Sequence, residues 1–228
     1  MKLLFISLGC DKNRVDSEVM LGMIGQKGYE ITDDENEADI IVINTCCFIN
    51  DAKEESINTI LEMAQYRKSG QVKALIVAGC LAQRYQEEIS KEIEEVDAII
   101  GTTAISSIIT AIEEVLQGNP QNHLTDSNSQ LPETGARMLS TGGHYAHLKI
   151  ADGCNKHCTY CIIPKIRGEY RSIPMEQLVQ EAQELADQGV KELILVAQET
   201  TLYGVDLYGE KKLPKLLRNL CQISGLYW

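Results

Sequence analysis

Short apolar runs at residues 3–8, 39–43 and 73–78 punctuate the first third of the chain. Each is rich in Leu, Ile or Val, is bounded by turn-forming or charged residues, and is apolar at consecutive rather than alternate positions. That pattern predicts parallel strands buried on both faces. Behind each run the spacing changes, and residues 16–27, 51–68 and 81–91 carry apolar side chains three and four apart, as amphipathic helices do. A short run at 98–100 followed by a helical stretch at 105–116 repeats the alternation. The expected fold class is α/β, with a doubly wound parallel sheet in the N-terminal part.

Both periods fade between residues 119 and 143, where Asn, Gln, Ser, Thr, Gly and Pro take over. A linker is expected there, separating a domain at 1–118 from a second at 144–228. The second part alternates again: strand at 147–150, helix at about 174–188, strand at 192–197, helix at 213–221. Pro174 suits the first turn of its helix and Gly189 the residue just past the end.

Charge narrows the partners. Lys and Arg total 21 against 33 Asp and Glu, a net charge of −12, so the basic footprint of a nucleic-acid binder is missing. No run approaches the ~20 apolar residues of a bilayer span. The opening Met-Lys-Leu-Leu-Phe-Ile-Ser-Leu-Gly-Cys has too short an apolar stretch for a secretory signal. A soluble, cytoplasmic protein with no membrane contact is expected, and in that setting eight cysteines point to metal or redox use rather than to disulfides.

Six of the eight fall into two groups. Cys154, Cys158 and Cys161 form Cys-x3-Cys-x2-Cys in a loop that directly follows a predicted strand. Three thiolates at that spacing suit an iron–sulfur cluster that wants four ligands, which leaves one iron open. A zinc site completed by His157 is the competing reading; His157 adjoins Cys158 in a short loop, where joint ligation is awkward. The other group is dispersed: Cys10, Cys80 and one of Cys46 and Cys47 each lie just past the end of a predicted strand. Parallel strands end on one rim, so these cysteines are expected to converge there. Packing as small buried hydrophobes is the alternative for each taken singly. Cys221, on the last predicted helix, reads as a core residue.

Cys-x3-Cys-x2-Cys after a strand resembles the signature of the radical S-adenosylmethionine enzymes. In them the open iron of a 4Fe-4S cluster chelates the cofactor, and an electron from the cluster cleaves it to a deoxyadenosyl radical. The resemblance implies an incomplete radical-SAM partial β/α barrel for residues 144–228. It also gives Tyr160 a backbone contact to the adenine, with a packed loop aromatic as the alternative, and puts Gln198 and Glu199 where the cofactor's amino group is held. The upstream domain narrows the likeness to the methylthiotransferases, through Ser-Leu-Gly-Cys-Asp-Lys-Asn, Asn-Thr-Cys and Ala-Gly-Cys-Leu-Ala-Gln-Arg-Tyr. On that resemblance Cys10, Cys46 and Cys80 hold a second 4Fe-4S cluster, and Cys47 is the variable neighbour.

Within that family Ile-Ile-Pro-Lys-Ile-Arg-Gly and Val-Ala-Gln-Glu-Thr-Thr-Leu-Tyr-Gly-Val-Asp-Leu-Tyr-Gly are similar to the protein-modifying branch. That branch adds a methylthio group to the β-carbon of an aspartate in small-subunit ribosomal protein twelve. It would imply this protein as substrate, an electron donor and a sulfur source as further partners, and no direct nucleic-acid binding. Two rivals remain: the branch that modifies a tRNA adenosine, and a non-catalytic iron–sulfur protein. Relatives run well past the position of Trp228, so the resemblance makes this chain a C-terminally truncated fragment without the TRAM domain. Its substrate pocket would be unfinished and its own activity doubtful.

Overall fold

A computed structural model describes residues 1–129 and 137–228, which divide into two compact units, Met1–Met138 and Leu139–Trp228. In the first, β1 (Lys2–Ser7), β2 (Glu30–Thr32), β3 (Ile40–Thr45), β4 (Ala74–Gly79) and β5 (Ala98–Ile100) form one parallel sheet in the order β2-β1-β3-β4-β5. Helices α1 (Asp11–Gln26), α2 (Asn50–Lys68), α3 (Cys80–Arg84) and α4 (Gln86–Glu92) lie in the crossovers, and α5 (Ile108–Leu116) follows β5. All residues of β3 and β4 are buried, which is why both strands are apolar at successive positions rather than alternately. Leu3, Ile40, Val42 and Ile76 pack with Met20 and Ile24 of α1 and Ile108 and Ile112 of α5 in one core.

Two details depart from the predicted pattern. The helix expected at 81–91 breaks at Tyr85, whose backbone leaves the helical region (φ −124°, ψ 32°). Its ring lies 4.5 Å from Lys53 Nζ and 4.8 Å from the Arg84 guanidinium carbon, a pair of cation–π contacts that the break accompanies. The stretch expected to be a linker begins as part of the first unit: His123 donates its backbone N–H to Ile99 and accepts from Gly101, bridging to the β5 edge. At its far end Arg137 forms an ion pair with Glu18 in which both side chains are almost fully buried. Residues 130–136 of that stretch lie outside the described residues.

The second unit is built on β6 (Tyr145–Lys149) and β9 (Glu192–Val196), which pair in parallel with α7 (Met175–Asp187) in the crossover between them. On the other edge of β9 the backbone of Trp228 donates to Lys191 and accepts from Leu193, the pattern of a further parallel strand. A small antiparallel pair, β7 (Ala151–Asp152) and β8 (Arg171–Ser172), spans the cysteine loop and α6 (Ile163–Arg167). Beyond β9, α8 (Val205–Tyr208) and α9 (Leu213–Leu220) follow. Among the described residues no helix is long and apolar enough to cross a membrane.

Candidate functional site

In the first unit the cysteines leave three adjacent strands. Thr45 and Gly79 are register partners at the ends of β3 and β4, so Cys46 and Cys80, the next residues, leave neighbouring strands at one level. Cys10 stands three residues past β1, on the other flank of β3. The sheet order reverses between β1 and β3, the crevice where open α/β sheets hold ligands.

Close backbone packing makes the convergence possible. Gly9 has φ +92°, and a Cβ there would lie 2.6 Å from Cys46 Cβ and 2.9 Å from its Sγ. Gly79 has φ +92°, and a Cβ on it would sit 2.3 Å from Asn44 Oδ1. Neither position admits a side chain. Asn13 Nδ2 donates to the Leu8 carbonyl at 2.7 Å and to the Thr45 carbonyl at 3.2 Å, tying the Cys10 loop to the end of β3. Asn44 Nδ2 in turn donates to the Asn13 carbonyl and Ser17 Oγ, while Ser56 Oγ binds both the N–H and the carbonyl of Cys46. These buried polar residues were not among the candidates read from the sequence. The signal available in the sequence was weak: Asn13 and Ser17 are polar residues four apart, one helical turn from each other on the buried side of α1, which also carries Asp16 and Glu18.

The neighbouring cysteines differ in their surroundings. Cys46 and Cys80 are buried and Cys10 is exposed. Cys47 Sγ donates to the Cys80 carbonyl at 3.3 Å, and burial pushes its thiol pKa up, so Cys47 is held as a thiol. Cys10 is the N-cap of α1 and Cys80 the first residue of α3. Cys221 is exposed rather than in a core, a correction to its reading from the sequence: it ends α9 on the solvent side.

In the second unit the cysteine loop opens at Gly153, whose φ is +78° and whose Cβ, if present, would lie 2.0 Å from the Glu169 carbonyl oxygen. Cys154 N–H donates to the Gly168 carbonyl, Cys161 N–H to the Cys158 carbonyl, and Tyr170 N–H to Asn155 Oδ1. Cys154, Cys158 and Cys161 are all at least partly solvent-accessible. His157, at φ +45°, is exposed. Tyr160 is 89% exposed, which removes the packed-aromatic alternative for its side chain. Among the described residues no three His, Cys, Asp or Glu side chains close on a single metal ion. A cubane places its ligands on different irons, and an all-thiolate donor set suits it better than it suits hard cations.

Gln198 and Glu199 follow β9, beside the strand that leads into the cysteine loop. Glu199 is ion-paired to Lys156 of that loop and accepts from the Thr201 hydroxyl. The Lys156 bond, followed by Thr201, draws the Glu199 carboxyl down to about 2. The link therefore acts while Glu199 is ionised; it is complete above the ordinary carboxylate range and fades as the pH falls toward 2. In the metal-free chain, Lys156→Met is expected to return Glu199 toward the ordinary value of about 4.3. A carbon-13 carboxyl titration by NMR reads this directly, and an unmoved midpoint would contradict the pairing.

Gln198 Nε2 donates to Asp152 Oδ1 at 2.7 Å, and Gly153 N–H donates to the same oxygen at 2.9 Å. The other carboxylate oxygen meets Arg167 Nη1 at 3.1 Å and Lys149 Nζ at 3.9 Å. Burial alone would raise the Asp152 pKa, but the two cations and the donated hydrogen bonds outweigh it and hold the carboxyl well below its usual range. The Gln198 carbonyl oxygen is buried and has no hydrogen-bond partner among the described residues. An acceptor left open between the cysteine loop and the end of β9 fits a cofactor that brings an N–H donor.

Residues 2–101 match the model described as Uncharacterized protein family UPF0004, and residues 148–226 match the Radical SAM superfamily. Over 228 residues the chain is 65% identical to the ribosomal protein uS12 methylthiotransferase RimO of Lachnoclostridium phytofermentans and 51% identical to that of Clostridium perfringens. It spans about half the length of these relatives, 52% and 51% respectively. A solved structure of the radical S-adenosylmethionine methyltransferase TsrM from Kitasatospora setae, with cobalamin and a [4Fe-4S] cluster bound, superposes with a TM-score of 0.58 at 13% identity, covering 95% of this chain and 50% of that one. At such low identity the likeness is one of fold. The two family models fall in order on the two units, and relatives named as ribosomal protein uS12 methylthiotransferases align along all 228 residues, so the chain is similar to them throughout its length.

Proposed function

We propose that this protein methylthiolates the β-carbon of an aspartate in ribosomal protein uS12, in the cytoplasm, drawing on an electron donor and a sulfur source. Cys154, Cys158 and Cys161 would hold one 4Fe-4S cluster beside bound S-adenosylmethionine, and Cys10, Cys46 and Cys80 would hold a second. When bound, the first cluster and the cofactor supply a hydrogen-abstracting radical, and the second cluster supplies a site for sulfur.

The chain's own residues do the positioning. Gly153 lets the cysteine loop turn against the Glu169 backbone, and the Lys156–Glu199 pair ties that loop to the end of β9. Gln198 offers an acceptor, and Tyr160 offers its backbone toward the adenine. In the first unit Gly9, Asn13 and Ser56 hold the Cys10 and Cys46 segments against each other. The observation that carries the reading is 65% identity along the whole chain to a uS12 methylthiotransferase.

The test is anaerobic incubation of the protein with uS12, S-adenosylmethionine, a low-potential reductant and sulfide, with tRNA in a parallel reaction. Mass spectrometry should find a methylthio group on one aspartate of uS12 and none on tRNA; modified tRNA with unmodified uS12 would overturn the proposal. The ligand assignment has its own measurement. Cys46→Ala should lose the N-terminal cluster's iron, whereas Cys47→Ala should keep it and cost only the bond to the Cys80 carbonyl, about 0.5–1.5 kcal/mol. The opposite pattern would exchange the two cysteines.

A further inference from the structure

Asp152 is a buried carboxylate, and nothing in the proposed chemistry uses it. Four donors surround it: Gly153 N–H and Gln198 Nε2 on one oxygen, Arg167 and Lys149 on the other. An ionised carboxylate only accepts hydrogen bonds. The Gln198 amide must therefore turn its NH2 toward Asp152, and its carbonyl oxygen must face the opposite way, where it is buried and unpartnered. A buried acceptor without a donor is destabilising, and an arriving N–H group would relieve that cost.

We infer that Asp152 is a positioning residue: by gripping the Gln198 NH2 group it fixes the amide so that the carbonyl oxygen is presented to an N–H donor, the α-amino group of the S-adenosyl cofactor. The inference rests on the reading of Gln198 as a cofactor contact. It adds what holds that contact in the useful orientation of two that are sterically alike. Asp152→Asn is the informative change. Arg167 and Lys149 are charged donors and claim the one oxygen of the new amide, which turns its NH2 toward Gln198 and toward the fixed Gly153 N–H, which loses its acceptor. Two NH2 groups cannot face each other, so the Gln198 amide flips and points a donor where the cofactor needs an acceptor.

The experiment uses the chain reconstituted anaerobically with iron and sulfide. S-adenosylmethionine binding is measured by equilibrium dialysis, and the spin-resonance spectrum of the reduced cluster is recorded with and without it. Asp152→Asn and Gln198→Leu should retain their iron and their cofactor-free spectrum, and each should weaken binding by up to about tenfold, the scale of one hydrogen bond. The double variant should also lose only about tenfold, because both changes remove the same contact.

Unaltered binding in Gln198→Leu would overturn the cofactor contact itself. Weakened binding in Gln198→Leu with none in Asp152→Asn, or losses that multiply to about a hundredfold in the double variant, would leave that contact standing and overturn the positioning role. If Asp152→Asn does not hold iron, Gln198→Asn answers the same question without touching the ion cluster. Its shorter amide escapes the grip of Asp152 and should bind as poorly as Gln198→Leu, and wild-type affinity there would overturn the inference.

Discussion

Replacing Cys154, Cys158 and Cys161 together by alanine is expected to remove about half of the iron and sulfide from the reconstituted chain and to leave the rest in place. The two cysteine groups lie in separate compact units, each with its own sheet, so the second set has no structural reason to fail with the first. The same variant should lose all effect of S-adenosylmethionine on the cluster's spectrum. Iron and sulfide assays with spin resonance check both points. Iron that stays at the wild-type level would show that the Cys-x3-Cys-x2-Cys loop is not a cluster site. Complete loss would show that the dispersed cysteines hold none.

Gly153→Ala should have the largest effect of any single methyl group in the second unit. At φ +78° an L-residue costs roughly 1–2 kcal/mol, but the greater penalty is steric. The new Cβ would lie 2.0 Å from the Glu169 carbonyl oxygen, 2.6 Å from its carbon and 2.7 Å from the Gly168 oxygen. All three are backbone atoms of a segment held by the β7–β8 pair and by the Cys154 to Gly168 bond, so no side chain can swing aside. A loss on the order of 4 kcal/mol or more is expected, together with loss of iron from this loop. Gly189→Ala provides the control: its φ is +101° but nothing lies within 4 Å of the added carbon, so only the conformational cost remains, about 1–2 kcal/mol. Urea unfolding of the two variants separates strain from collision. Equal losses would mean that the close approach at Gly153 has no consequence.

The sequence by itself determined the frame. Runs of consecutive apolar residues marked β1, β3, β4 and β9, and helical spacing marked α1, α2, α5, α7 and α9, because burial on both faces of a strand or on one face of a helix imposes a period that survives in the residue order. It also placed three cysteines at strand ends, since strand direction in a parallel sheet is common to all its members. Other features carried no such period. Strands β2, β7 and β8 have three, two and two residues, too few to show alternation. The break at Tyr85 accompanies contacts with Lys53, more than thirty residues away. The polar residues that set the two sites are likewise long-range: Asn13 with Thr45 across 32 positions, and Asp152 with Gln198 across 46. A hydrogen bond between distant segments leaves no local trace, because each partner alone is an ordinary polar residue and only the tertiary structure decides that it is buried and must be satisfied. The close approaches at Gly9, Gly79 and Gly153 are of the same kind: their sequence neighbours do not reveal them, and they follow from where the chain returns in space.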